Sequence, residues 1–399
     1  MAPFGLGRKG TTRARVLPLA AALVAAGHAV DVLVPAWDVP AERGRRYRWR
    51  GAQVTCLPLR RRRGAATHVQ LALELLHHAR ATRAEVIHCF KPIGYSGALL
   101  LALRALGATG APRALLALDL DDLEGGTGWA AADRLPAWQR ALRTWQERAG
   151  VRAAPLVTVA SRYLADLAAR WRGGAGDIVY LPNAGEPPVS LAPGAALFPG
   201  GRGAGGEGEP PILLLYSRFN EFAPARGAAL VAAILQRVPA ARLLVVGPVD
   251  SAGGQAFLRE LAVRGCAGRV LCTGFQEGAA RDTLLAQDSV ALWLFDDTAI
   301  NRARSPAKLV ELLWAGRAVV AEAVGEVPAL AGGAACLVPP GAHEALVEAT
   351  VGLLTTPALR HAYAARARAR AGAHLDWPAR ARRLAAAYTA ALEPRRRPC

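Results

Sequence analysis

The sequence predicts an α/β protein made of two doubly wound domains, and three observations predict it. Short apolar runs alternate with helical patterns along most of the chain. Runs such as Leu156–Ala160 and Ile212–Tyr216 are nearly continuous in their apolar character, as expected of parallel strands covered on both faces. The composition breaks at 185–211, where Gly and Pro crowd between two such series. A chain of 399 residues exceeds one core of usual size, and 52% hydrophobic with 20% charged residues is enough to build two.

Taken in order, the strands expected in the first half are Ala29–Val34, Val54–Leu57, Val86–Cys89, Arg113–Leu118, Leu156–Ala160 and Ile178–Leu181. Helices are expected at Thr12–Ala26, Val69–Arg83, Gly97–Leu106, Pro136–Arg148 and Ser161–Trp171. The second half repeats the alternation from strand Ile212–Tyr216 through helix Pro306–Ala315 to strand Ala318–Ala321. The expected domains are 1–184, a linker at 185–211, 212–373, and a closing helix with a basic tail at 374–399, the two lobes facing across a cleft. Met1–Phe4 leaves room only for a stub of the strand that opens such a domain. Either the sheet lacks most of that strand or the chain start is truncated. Arg8, Lys9, Arg13 and Arg15 ahead of Val16–Ala26 imitate a signal peptide, but the same residues read better as a helix ended at Gly27. No apolar run reaches the ~20 residues of a membrane span.

The formal net charge is +18, a field that favours nucleotide phosphates, an acidic membrane surface or nucleic acid. Basic runs stand at Arg60–Arg63, at Arg366, Arg368 and Arg370, and at Arg395–Arg397. Aromatics are 6% of the chain and do not interleave with these runs, which argues against a single-strand nucleic-acid platform. The six cysteines form no CxxC pair and no metal-ligand spacing with the eight histidines. Free thiols in a reducing, cytoplasmic setting are expected.

The most informative stretch is Arg304–Gly316. Ser305 is expected as helix N-cap, Pro306 at the first helical position and Gly316 at the end. Free amides, the helix dipole, Arg304 and Lys308 then make an anion site, best matched by the diphosphate of an activated sugar. Gly5-Leu6-Gly7-Arg8-Lys9-Gly10 matches GxGxxG, and Gly7, Gly10 and Thr11 form a candidate phosphate or acceptor loop. A dinucleotide site also wants an acid about 20 residues on. The nearest here, Asp38, comes 28 after Gly10 and beyond Pro35, so nicotinamide binding is not expected.

Asp119-Leu120-Asp121-Asp122-Leu123-Glu124 ends a strand with paired carboxylates. Asp121 and Asp122 can hold a divalent ion against a diphosphate, orient or deprotonate an acceptor hydroxyl, or cap the next segment. His88 also stands at a strand end and reads equally well as structural or active. Arg218 and Arg226 flank the turn after Ile212–Tyr216, within reach of a phosphate. Glu311, inside the helix from Pro306, suits sugar or ribose hydroxyls.

In their order and spacing these pieces resemble the group 1, or family 4, glycosyltransferases of the GT-B fold. The likeness runs through Gly27-His28-Ala29-Val30-Asp31-Val32, Leu181-Pro182-Asn183-Ala184, Tyr216-Ser217-Arg218-Phe219 with Arg226-Gly227, Thr273-Gly274-Phe275 and Gln287-Asp288-Ser289-Val290. It implies a donor diphosphate clamped by Arg218 and Arg226, and a nucleotide ribose on Glu311, the second acid of E-x7-E. The first acid is replaced by Ala303, which leaves Asn301, Asp296 or Asp297 to substitute on the sugar side.

The expected function is therefore transfer of a sugar from a nucleotide-sugar donor to an acceptor hydroxyl. The donor sits with Arg218, Arg226, Asn301, Arg304, Ser305, Lys308 and Glu311, and the chemistry with Asp121, Asp122 and His88. No metal and no cofactor is expected, the nucleotide sugar being substrate, and the resemblance implies retention. The acceptor is a glycan or a lipid-linked species in cell-envelope or polysaccharide synthesis, with peripheral contact to the anionic inner face of the membrane and no nucleic-acid partner. The alternative is a non-catalytic nucleotide-sugar or carbohydrate-binding protein on the same fold.

Overall fold

The computed structural model describes residues 1–7, 10–58, 65–107, 114–189 and 210–396. Arg8, Lys9, Arg60–Arg63, Arg113, most of the 185–211 stretch, Arg397 and Cys399 lie outside the described residues. The chain divides into two compact units. One comprises Met1–Ala184, Arg302–Ser305 and the segment from Trp377 onward; the other comprises Gly185–Asn301 and Pro306–Asp376.

The first unit begins with α1 (Leu17–Ala25), β1 (Asp31–Val34), β2 (Arg46–Trp49), β3 (Ala52–Cys56), α2 (Ala65–Ala81), β4 (Val86–Phe90) and α3 (Gly94–Gly107). It continues with β5 (Leu115–Leu120), α4 (Trp129–Ala132), α5 (Ala137–Ala153), β6 (Leu156–Val159), α6 (Arg162–Arg172) and β7 (Ile178–Tyr180). Its strands form two sheets, β1-β3-β2 and β4-β5-β6-β7. Every pairing is parallel except β2 with β3. Met1 and Ala2 join the sheets. The Ala2 N–H donates to the Leu33 carbonyl at 2.8 Å, and the Phe90 N–H donates to the Met1 carbonyl at 3.1 Å. The short opening stub thus lies between β1 and β4. β2 is absent from the sequence expectation, because Arg46-Tyr47-Arg48-Trp49 alternates between exposed and half-buried and offers no buried face.

The second unit contains β8 (Ile212–Tyr216), α7 (Pro224–Arg237), β9 (Arg242–Val246), α8 (Ala252–Val263), β10 (Val270–Cys272), α9 (Gly278–Leu285) and β11 (Ser289–Trp293). There follow α10 (Ala299–Ala303, whose last two residues belong to the first unit), α11 (Ala307–Trp314), β12 (Ala318–Glu322), α12 (Val327–Ala331), β13 (Cys336–Val338), α13 (His343–Thr355) and α14 (Pro357–His374). The strands make one parallel sheet in the order β10-β9-β8-β11-β12-β13. The strand period of two explains the unbroken apolar runs. Leu213, Leu215, Leu243 and Val245 enter one core layer, whereas Leu214, Tyr216, Leu244 and Val246 enter the other. Each fully buried leucine contributes about 1.5–3 kcal/mol of apolar burial.

A helix stands where the closing helix is expected. α14 ends at His374, and α15 (Trp377–Arg396) belongs to the first unit. There Trp377, Ala381 and Leu384 are buried in one cluster with Leu17, Ala20 and Leu23 of α1. The run that imitates a signal peptide is therefore a core helix. Among the described residues no helix is long and apolar enough to cross a membrane.

Candidate active site

In the first unit the candidate side chains collect at the C-terminal ends of β4, β5 and β6, where α/β sheets gather ligands. Asp119, 0% exposed, faces the fully buried Arg15. Arg15 Nε and Nη2 donate to the two Asp119 oxygens at 2.7 and 2.6 Å. Arg15 Nη1 donates to Asn183 Oδ1 at 3.0 Å. Thr158 Oγ1 donates to Asp119 Oδ1 at 2.5 Å. The guanidinium holds the Asp119 carboxyl below its ordinary range against the opposing effect of burial.

His88, expected among the reacting groups, completes this buried chain. Its Nε2 lies 3.2 Å from Thr158 Oγ1 and its Nδ1 2.6 Å from the Tyr388 hydroxyl of α15. Burial, with Arg15 and the terminal ammonium adding, pushes its pKa down to about 3. Both ring nitrogens are thus engaged by the protein, and the imidazole is neutral.

The expected carboxylates do meet. Lys91, buried and in the left-handed region at φ 68°, directs its ammonium at Asp121 Oδ1 (3.0 Å), Asp122 Oδ2 (2.9 Å) and Glu124 Oε1 (2.5 Å). A non-glycine residue held at positive φ stores roughly 1–3 kcal/mol, strain that tends to occur at functional sites. The three carboxylates offer oxygens within 4.8 Å of one another, close enough for a divalent ion. The Lys91 ammonium stands among them and supplies positive charge there.

Asp121 Oδ2 accepts from Thr11 Oγ1 at 2.7 Å. Its Oδ1 contacts Lys91 at ion-pair distance without hydrogen-bond geometry. Burial pushes Asp121 up to about 6, Lys91 opposing and the carboxylates of Asp122, Asp119 and Glu124 adding. Asp122 takes a side-chain hydrogen bond from Trp129 and is held low by Lys91 and Arg304 against burial. Arg304 lies over the Trp129 ring, 4.6 Å from its centroid, with Nε 4.0 Å from Asp122 Oδ1.

Two expectations concern backbone ends. The Gly5 N–H donates to Asp38 Oδ1 at 2.7 Å and the Leu6 N–H to Glu42 Oε2 at 2.9 Å. The glycine loop's opening amides therefore face the chain's own carboxylates. A Cβ on Gly7 would come within 3.0 Å of Val39 Cγ2, and the Gly10 carbonyl accepts from Ala14 N. Ser305 is not the helix cap. α11 starts at Ala307, with Pro306 at the N-cap position. Ser305 Oγ accepts from the Asn183 N–H at 2.9 Å and its carbonyl from Asn183 Nδ2 at 2.6 Å. Gly316 does end the helix at φ 66°.

In the second unit the sheet's C-terminal edge carries a different group. Glu221 is buried, and its Oε2 accepts from Ser217 Oγ (2.8 Å) and from the amides of Arg218 and Asn220 (both 3.1 Å). Its Oε1 lies 3.3 Å from Lys308 Nζ. Glycine is required at 247, because a Cβ there would lie 1.9 Å from the Ser217 carbonyl oxygen. Burial pushes Lys308 down to about 8, with Arg218 adding and Glu221 opposing. Lys308 also lies over the Tyr216 ring at 5.2 Å. The half-buried Arg218 guanidinium has no hydrogen-bond or ion-pair partner among the described residues.

Arg226 behaves differently from its expected partner. Its Nη1 and Nη2 donate to the two Glu322 oxygens at 2.8 and 2.9 Å, and Nη2 also pairs with Asp296. Asn301 is 2% exposed, its Nδ2 donating to the carbonyls of Glu221 (2.7 Å) and Asp296 (2.8 Å). Both residues thus brace the turns around the site. Glu311 accepts from the Tyr216 hydroxyl at 2.7 Å and from Arg281 Nη1 at 3.0 Å. Ala303, where the first acid of the E-x7-E pair would stand, is 0% exposed. Sequence reasoning missed Arg15, Lys91, Glu221 and Arg281. Lys91 leaves one signal, a lysine directly after a strand and before Pro92.

Residues 10–184 match the family model described as "Glycosyl transferase 4-like domain", and residues 210–356 match "Glycosyl transferases group 1". No curated protein sequence matches the chain. Among solved structures, the fold is similar to sucrose-phosphate synthase from Thermosynechococcus elongatus, with 20% identity, TM-score 0.69, and 94% and 92% of the two chains covered. It is similar to Anabaena HepE in complex with UDP and glucose, with 18% identity, TM-score 0.64, and 97% and 98% covered. A third similar structure is an α,α-trehalose-phosphate synthase (UDP-forming) from Burkholderia vietnamiensis, with 13% identity, TM-score 0.67, and 98% and 97% covered. These likenesses place the architecture in the GT-B class, and with both halves matched the chain belongs to the group 1, family 4-like glycosyltransferases.

Proposed function

We propose that this glycosyltransferase moves a sugar from a nucleoside-diphosphate donor to the hydroxyl of a glycan or lipid-linked acceptor, with retention at the anomeric carbon and without a metal ion, in cell-envelope or polysaccharide synthesis. One observation carries the donor side. Arg218, without a protein partner among the described residues, stands beside Lys308, whose ammonium is destabilised by burial and by that guanidinium. Lys308 pairs with Glu221, whereas the Arg218 guanidinium has no carboxylate partner among the described residues, and a diphosphate supplies the missing negative charge. Positive groups fixed in place stabilise charge developing on the departing diphosphate at no cost in reorganisation. Glu311 and Arg281 take the ribose side, and Arg226 holds the loop of Asp296. The bound UDP in the Anabaena neighbour supports this reading.

On the acceptor side we assign Asp121 as the group that takes the hydroxyl proton, Asp122 with Arg304 as its orienting pair, and His88 as a positioning residue. The Lys91 ammonium amid Asp121, Asp122 and Glu124 supports metal independence, since a divalent ion would have to displace it. Screening nucleotide sugars for thermal stabilisation identifies the donor, and turnover of that donor tests the reaction. Binding without transfer to any glycan or lipid-linked hydroxyl would instead make the protein a carbohydrate-binding relative of the family.

Two pH effects are expected. Lys308 is charged below about pH 8 and neutral above it. A bound diphosphate raises that pKa, so nucleotide binding near pH 8 takes up a proton. Calorimetry in buffers of different ionisation enthalpy measures the uptake, and Lys308→Met abolishes it. Asp121 must be ionised to accept a proton, so transfer rises as pH climbs through about 6. Asp121→Asn lowers kcat about 10²–10⁴-fold and flattens that limb. A full rate with the limb intact would remove Asp121 from the chemistry.

A further inference from the structure

α5 carries an apolar stripe on the side away from its own core. Glu147, Gly150 and Val151 form its buried side. Trp138, Leu142 and Trp145 are 66%, 50% and 60% exposed. At 100° per residue, positions 138, 142 and 145 fall on one line opposite that buried side. Large apolar side chains left exposed in such a line mark an interaction surface.

The exposed charges on the same helix are of one sign. Arg148 and Arg152 flank the stripe and are exposed, while also touching Trp171 of α6, and the one acid of the helix, Glu147, is buried. α2 packs on α3 and α3 on α5. α2 adds the exposed Val69 and Leu73, at 59% and 61%, to the same helical layer.

We infer that this helical layer docks the protein on an anionic phospholipid surface, with Trp138 and Trp145 entering the headgroup boundary and the flanking Arg148 and Arg152 meeting lipid phosphates. Indole rings favour that boundary because they are apolar in body and carry one N–H. Arginines contribute attraction that salt screens. A second copy is a poor occupant, because it would set like-charged α5 helices face to face. The inference concerns where the protein works and is independent of the donor-site reading.

Full-length protein is sedimented with phosphatidylcholine vesicles, with and without phosphatidylglycerol. The wild type is expected to pellet with the anionic vesicles and to release as salt rises. Trp138→Ser/Trp145→Ser is expected to bind at least about tenfold more weakly. Because both side chains are exposed, its unfolding midpoint and its transfer to a soluble acceptor stay unchanged. Should that variant fold poorly, quenching of wild-type tryptophan fluorescence by brominated-chain lipid in anionic vesicles supports the inference, and no quenching overturns it. Wild-type protein that stays in the supernatant, equal binding by the double variant, or a dimer that the variant breaks apart would each overturn it.

Discussion

Asp119→Ala is expected to destabilise the first unit by about 3–5 kcal/mol, the cost of leaving a buried charge without its partner. Arg15 is 1% exposed, and among the described residues Asp119 takes two of the three hydrogen bonds its side chain donates. His88, held neutral by burial, carries no charge to offer in its place. Replacing both partners by apolar residues, as in Arg15→Met/Asp119→Leu, removes the charge with its counter-charge and is expected to recover most of the loss. Denaturant unfolding of the three proteins checks this; a single variant as stable as wild type would show that the guanidinium finds solvent. The sign with pH follows from the lowered Asp119 pKa. Its contribution is fully present above the ordinary value of 3.8 and is lost as pH falls through the lower folded one.

Arg218→Ala and Lys308→Ala are each expected to lower kcat by about 10²–10³-fold, the usual effect of removing one preorganised charge donor. Arg218→Lys should restore only part, because the planar fork matches phosphate oxygens in pairs and an ammonium does not. Arg226→Ala should act differently. It leaves the buried Glu322 without its bidentate partner, so the loss appears first in stability. Steady-state kinetics on the identified donor, beside thermal unfolding, separates these effects. Equal loss of kcat at unchanged stability for all three sites would return Arg226 to the diphosphate.

The strands were legible because fully covered parallel strands write themselves as unbroken apolar runs, as at Leu213–Leu215. β2 was not, since Arg46–Trp49 pairs at an edge and leaves no periodic buried face. The acidic strand end at Asp119–Glu124 stood out for its charge density. Its partners did not: Arg15 and Lys91 look like any two basic residues among 49. Ser305 and Pro306 carried a sound helix-start signal, yet Asn183 takes the serine and the helix begins one residue later.

Local chemistry in the sequence thus determined the two β/α arrays, the residue types able to hold a diphosphate and the carboxylates able to meet a hydroxyl. Tertiary structure alone decided which positive groups are already satisfied. Arg226 is neutralised by Glu322 and Asp296, Arg15 by Asp119, and Lys91 by three carboxylates, while Arg218 keeps its guanidinium clear of any protein partner among the described residues. The reason is physical: a charge's availability depends on what lies within a few ångströms, and residues as far apart in sequence as Arg15 and Asp119 become neighbours only when the sheet forms.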